Sequence, residues 1–80
     1  MKVTLKMPRL SMNMEDGTVT GWHKKEGDSF IKGEALYDIE TEKAVSEFEA
    51  PCDGVLLQIL AQVDDTVEVG HDVCIIDRTG

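Results

Sequence analysis

Apolar and polar positions alternate in short runs along this chain, and glycine and aspartate interrupt the runs every few residues. Ala35, Tyr37, Ile39 and Thr41 alternate with Leu36, Asp38, Glu40 and Glu42. Ala44, Ser46 and Phe48 then alternate with Val45, Glu47 and Glu49. A period of two marks a strand with one buried face. Asp16-Gly17, Gly27-Asp28, Gly33, Asp53-Gly54, Asp64-Asp65 and Gly70 read as turn signals between such strands. Short, regularly spaced strands predict an all-β sandwich or flattened barrel, with Trp22 and Phe48 packed in its core. One stretch, Val55 to Val63, is ambiguous, because Leu56, Ile59, Leu60 and Val63 also have helical spacing.

An internal repeat at an offset of 37 residues removes the ambiguity. Gly17-Thr-Val-Thr-Gly-Trp22 aligns with Gly54-Val-Leu-Leu-Gln-Ile59, Gly27-Asp28-Ser29-Phe30 with Asp64-Asp65-Thr66-Val67, and Gly33 with Gly70. Thr4, Lys6 and Asp16 meet identical residues at Thr41, Lys43 and Asp53. The counterpart of Val55–Val63 is Thr18–Glu26, whose β-branched residues, tryptophan and internal glycine make a poor helix. Both copies are therefore predicted as strands. Neither copy can bury an apolar face alone, so the two are expected to share one core about a pseudo-twofold axis. The same offset sets Gly80 against Lys43. It therefore predicts both chain termini at the end of the molecule away from Lys43.

The two period-2 runs around Lys43 predict a hairpin that reverses at Glu42-Lys43. Thr-Glu-Lys-Ala is not what local turn chemistry selects, since the favoured two-residue turns use Asn-Gly or Asp-Gly. Such a conflict between local preference and position points to function. Glu40, Glu42 and Glu47 are expected around Lys43. An ammonium group is no nucleophile by itself. The chemistry that fits is acylation of Lys43 by a modifying enzyme with an activated donor.

Composition narrows the possibilities. Sixteen acidic against eight basic residues leave a net charge of −8. That sign argues against nucleic-acid binding and against anionic membrane. Eighty residues leave little room for a pocket with a catalytic constellation. Cys52 and Cys74 are too few for a disulfide framework and read as reduced thiols, Cys74 in an apolar strand and Cys52 in an exposed turn. With His23 and His71 far apart and no Cys-x-x-Cys, no metal site is expected. No secretory leader is visible, and the expected compartment is cytoplasmic.

Glu40-Thr41-Glu42-Lys43-Ala44 resembles the lipoyl-lysine motif of lipoyl domains, which belong to the acyltransferase components of 2-oxoacid dehydrogenase complexes. Met7-Pro8-Arg9-Leu10-Ser11-Met12-Asn13-Met14-Glu15-Asp16-Gly17 and Trp22-His23-Lys24-Lys25-Glu26-Gly27-Asp28 resemble the same family, and the likeness runs from about Lys2 to Asp77. It implies a barrel-sandwich hybrid of two four-stranded antiparallel sheets with quasi-twofold symmetry. It implies lipoate, attached by ligase or lipoyl transferase to Lys43, with Glu42 and Ala44 as flanking recognition residues and no catalytic residues. The implied partners are a thiamin-diphosphate 2-oxoacid decarboxylase, a coenzyme A acyltransferase core and dihydrolipoyl dehydrogenase. Residues 1–80 then form one lipoyl domain, monomeric in isolation and N-terminal in a longer chain. Leu10-Ser11 and Met14 look more like the pyruvate or acetoin type, with Leu10 to Glu15 and the hairpin acids contributing to partner choice. Biotin carrier domains share the fold, but their lysine is typically flanked by methionines. An unmodified acidic interaction module is the remaining alternative.

Overall fold

The computed structural model covers residues 1–80 and contains eight strands and no helix. They are β1 (Lys2–Lys6), β2 (Asp16–Trp22), β3 (Ser29–Phe30), β4 (Ala35–Glu40), β5 (Val45–Glu49), β6 (Gly54–Ile59), β7 (Thr66–Glu68) and β8 (Asp72–Arg78). Every pairing is antiparallel. One sheet has the order β1-β8-β6-β3 and the other β5-β4-β2-β7. Exchanging β1–β4 with β5–β8 turns one order into the other, as the pseudo-twofold requires. The result is a sandwich of two open four-stranded sheets rather than a closed barrel.

The symmetry extends to the irregularities. Thr20 is left over where β2 pairs with β4, and Leu57, its repeat mate, where β6 pairs with β8. Leu36 bulges from the β4–β5 ladder as Val73 bulges from β8–β1. All positive-φ residues pair across the repeat: Gly27 (φ 96°) with Asp64 (φ 76°), and Gly33 (φ 90°) with Gly70 (φ 88°). The turn leading to β3 is closed by the Lys25 N–H donating to Asp28 Oδ2 at 3.0 Å. Before β7 the Gln62 N–H donates to Asp65 Oδ2 at 2.8 Å. A bulge adds a residue and re-aims the side chains beyond it. That is why Leu36 and Tyr37, neighbours in sequence, are both fully buried.

Four repeat pairs make the centre of the core: Val19 with Leu56, Leu36 with Val73, Tyr37 with Cys74, and Ile39 with Ile76, all with no exposed surface. Trp22 and Phe48 pack against this core from its rim. Tyr37 lies between them, with ring centroids 4.7 Å and 4.8 Å away, and the Trp22 indole N–H donates to the Ala61 carbonyl at 2.9 Å. Cys52 is half-buried against the core rather than exposed.

Three expectations need correcting. The strands end at Trp22 and Ile59, so the second half of each predicted nine-residue strand is turn. Asp16-Gly17 is not a turn, and of Asp53-Gly54 only Asp53 lies in the bend that precedes β6. Gly17 lies inside β2, Gly54 opens β6, and both are buried where the chain passes close to other atoms. A Cβ on Gly54 would stand 2.5 Å from the Asp77 carbonyl oxygen. Finally, the offset is not 37 throughout. The Gly33 N–H bonds the Ala50 carbonyl as the Gly70 N–H bonds that of Met7, both at 2.9 Å, so Met7 matches Ala50 at an offset of 43. Between Met7 and Gly17 the chain thus holds six residues more than between their mates Ala50 and Gly54. The identities of Thr4 with Thr41 and Lys6 with Lys43 are coincidental, because β1 corresponds to β5.

Candidate functional site

Lys43 sits at the tip of the β4–β5 hairpin, as its sequence pattern predicts. Glu40 faces Val45 and Ile39 faces Ser46, leaving Thr41-Glu42-Lys43-Ala44 as the connection. The Thr41 N–H donates to the Ala44 carbonyl at 2.9 Å, and the Thr41 hydroxyl donates to the same oxygen at 3.2 Å. Neither Glu42 nor Lys43 has positive φ. The primed turns, which need positive φ, are thereby excluded, and a threonine side-chain bond helps close the turn instead. The absence of Asn-Gly therefore has a structural answer. The hairpin presents a long side chain at its apex without a glycine.

The Lys43 side chain is exposed and its amine forms no ion pair. The expectation of acids gathered around it holds only loosely. Glu40 and Glu42 flank the tip, but Glu47 turns towards His23, with Oε2 3.8 Å from Nε2. Glu42 and Ala44 are exposed on either side of Lys43.

The six additional residues of the β1–β2 loop lie beside this tip. Together with the hairpin they border an open groove of about 650 Å³, lined by Leu10, Ser11, Asn13, Met14, Glu15, Asp16 and Thr18 on one side and Glu40 to Ala44 with Ser46 on the other. The loop has internal ties. Arg9 Nη1 donates to the Met12 carbonyl at 3.2 Å, and the Met14 N–H to the Ser11 carbonyl at 3.2 Å. Met14 is buried and anchors the loop, while Met12 is 91% exposed. Gly17 makes that anchor possible, since a Cβ there would stand 3.0 Å from Met14 Cε and 2.7 Å from Ile39 Cγ2. The segment Leu10–Glu15 singled out from sequence is thus placed against the hairpin.

Lys6 is far from this environment in register. It pairs with Asp72, and its amine lies 3.3 Å from Asp72 Oδ1. The termini meet where the symmetry operation would put a second hairpin. The Met1 amine donates to Asp77 Oδ1 at 2.8 Å and to the Arg78 carbonyl at 3.3 Å. No terminal residue borders the groove at Lys43.

An eight-stranded, twofold-repeated sandwich with an exposed, unpaired lysine at one hairpin apex is the architecture of a prosthetic-group attachment domain. The chain belongs to the biotin/lipoyl family, whose profile, described as "Biotin-requiring enzyme", matches residues 3–76. Within that family it is similar to lipoyl domains. The solution structure of the lipoyl domain of the 2-oxoglutarate dehydrogenase complex from Azotobacter vinelandii superimposes with a TM-score of 0.80 at 37% identity, covering 98% of this chain and 99% of that one. The dihydrolipoyllysine-residue acetyltransferase component of the acetoin cleaving system of Pseudomonas putida is 41% identical over 73 residues, 91% of this chain and 20% of that protein. The succinyltransferase component of the 2-oxoglutarate dehydrogenase complex of Staphylococcus saprophyticus is 40% identical over 72 residues, 90% of this chain and 17% of that protein. This chain therefore spans about a fifth or less of the length of these two relatives.

Proposed function

We propose that lipoate is amide-linked to Lys43, making this chain the carrier domain of an acyltransferase component of a 2-oxoacid dehydrogenase complex of pyruvate or acetoin type. The observation that carries the reading is the exposed amine of Lys43, without an ion-pair partner, at a hairpin apex closed by Thr41. The residues present fit the group: no side chain covers the amine, and Glu42 and Ala44 stand clear on both flanks. Lipoate supplies a strained disulfide that can accept an acyl group while being reduced. The protein supplies presentation. Residues 1–80, with a core over 2–77, hold the lysine on a rigid hairpin. Tethering would keep the acyl group at high effective concentration near successive active sites. Those sites are a thiamin-diphosphate decarboxylase, a coenzyme A acyltransferase core and dihydrolipoyl dehydrogenase, in a cytoplasmic assembly of which this chain forms one part. A catalytic constellation is unnecessary in such a domain.

Amide formation removes one positive charge and takes −8 to −9. The acids bordering the groove, Glu15, Asp16, Glu40 and Glu42, then face a partner without a nearby lysine charge. We assign them to steering the domain onto basic ground at the decarboxylase entrance.

The test is intact-mass and peptide analysis of the chain coexpressed with lipoate ligase and lipoate. The expected result is one lipoyl adduct on Lys43, lost in Lys43→Ala and retained in Lys6→Ala. An unmodified chain would overturn the reading, and a biotin adduct from a biotin ligase would replace it with a carboxylase carrier role.

A further inference from the structure

A second site lies on the outer face of the sheet that carries the hairpin, and it does not involve Lys43. His23 follows β2, Asp38 lies in β4 and Glu47 lies opposite it in β5. His23 Nε2 stands 2.8 Å from Asp38 Oδ1 and 3.8 Å from Glu47 Oε2, and one ligand atom from each residue lies within 4.8 Å of the others. We propose that these three side chains form a binding site for a divalent transition-metal ion of the zinc class, with water completing the coordination.

The geometry is close to what such an ion needs. With bonds of about 2.0–2.1 Å, tetrahedral ligand atoms stand roughly 3.3 Å apart. The His23–Asp38 distance has to open by about half an ångström, and the longest separation has to close by somewhat more than one. Glu47 can supply the movement because its side chain is 62% exposed, while Asp38 is the fixed member at 27%. Its carboxylate occupies space left by Gly21, where a Cβ would come within 3.2 Å of Oδ2. One imidazole nitrogen with two carboxylate oxygens suits borderline ions of the zinc, cobalt and nickel group.

The internal repeat shows that the fold does not demand these groups. His23 and Asp38 correspond to Leu60 and Ile75, and Glu47 to Thr4. Thr4 pairs with Ile75 as Glu47 pairs with Asp38. The His23 N–H bonds the Leu36 carbonyl at 2.8 Å, as the Leu60 N–H bonds that of Val73 at 2.9 Å. The same backbone therefore carries two apolar side chains and a threonine in one half and three metal-ligating side chains in the other. The backbone forms with either set, so the fold itself does not require the second.

The test is titration of the isotope-labelled 80-residue chain with zinc sulfate, followed by amide shifts, and with nickel chloride, followed by paramagnetic broadening. The expected result is one saturable site, reversed by EDTA, with the largest changes at His23, Asp38 and Glu47. His23→Gln and Asp38→Asn should each weaken binding by about tenfold or more, with unchanged thermal midpoints as the check on folding. His71→Gln removes the other histidine, 3.8 Å from Glu68, and should leave binding intact. Absence of saturable binding would overturn the proposal. So would an affinity in the His23 or Asp38 variant equal to that of the unsubstituted chain, or broadening centred on His71. The outcome is independent of whether Lys43 is lipoylated.

Discussion

Tyr37→Phe should make the domain more stable. Tyr37 has no exposed surface, and its hydroxyl has no hydrogen-bond partner. Burial, with the Cys74 thiol adding to it, pushes the phenol well above the ordinary tyrosine range, as expected for a group cut off from water. Leaving a buried donor unsatisfied costs about 1–3 kcal/mol. The phenylalanine ring keeps the stack on Phe48, whose plane is inclined by 12°, and the tilted contact with Trp22. The lost oxygen leaves a small gap, and its forfeited dispersion contacts are worth a few tenths of a kcal/mol. The net gain is about 1 kcal/mol, which for a chain of this size raises the melting midpoint by roughly 4–8 °C. Paired urea and calorimetric unfolding of the two proteins measures it. Tyr37→Ala provides the scale, since loss of the whole ring should cost about 3–5 kcal/mol. If Tyr37→Phe instead lowers stability by a kilocalorie or more, the hydroxyl has a partner and the accounting is wrong.

Other consequences can be measured in the same assays. Gly54→Ala should be more destabilising than Gly17→Ala. The new methyl meets the Asp77 backbone in the first case, and the movable tips of Ile39, Met14 and Met7 in the second, where overpacking costs about 1–3 kcal/mol. Asp64→Gly should add about 1 kcal/mol by relieving a left-handed backbone that Gly27 adopts freely in the matching turn, and an unchanged denaturation midpoint would contradict this. Burial pushes the Cys74 thiol from 9.0 up to about 12. The raised value favours the thiol in the folded state, so this stability is present below pH 9 and declines between pH 9 and 12, by up to about 1.4 kcal/mol per unit. Cys74→Val should flatten that part of the stability–pH curve.

What could be read from sequence is tied to local chemistry. Gly27, Gly33 and Gly70 mark real turns because positive φ is cheap only for glycine. Asp64 was legible as a turn from the Asp64-Asp65 pair and from its alignment with Gly27. The hairpin at Lys43 was visible because a strand period inverts there. Bulges were not visible. The extra residues Thr20, Leu36, Leu57 and Val73 look like ordinary strand positions, and only pairing reveals which residue has no partner. Strict alternation therefore put Leu36 on the wrong face. Asp16-Gly17 and Asp53-Gly54 misled because a glycine needed for close approach looks the same as one needed for a turn. The His23, Asp38 and Glu47 cluster was missed because its members lie on different elements. One signal was available: in the repeat, His23 and Asp38 stand opposite apolar Leu60 and Ile75.

The meeting of the ends has a topological consequence. Met1 and Arg78 occupy the place that the twofold operation assigns to the partner of the Thr41–Ala44 turn, so the chain is nearly a closed loop cut at one of two equivalent corners. Joining Gly80 to Met1 by a short polar link, and reopening the chain between Glu42 and Lys43, should preserve all six strand pairings. Circular permutation would then move the covalent break to the lysine corner while leaving the core pairs Val19–Leu56 and Tyr37–Cys74 in place. Within residues 1–80 the fold treats these two corners alike, and the six additional residues before β2, beside Lys43, are what make them different.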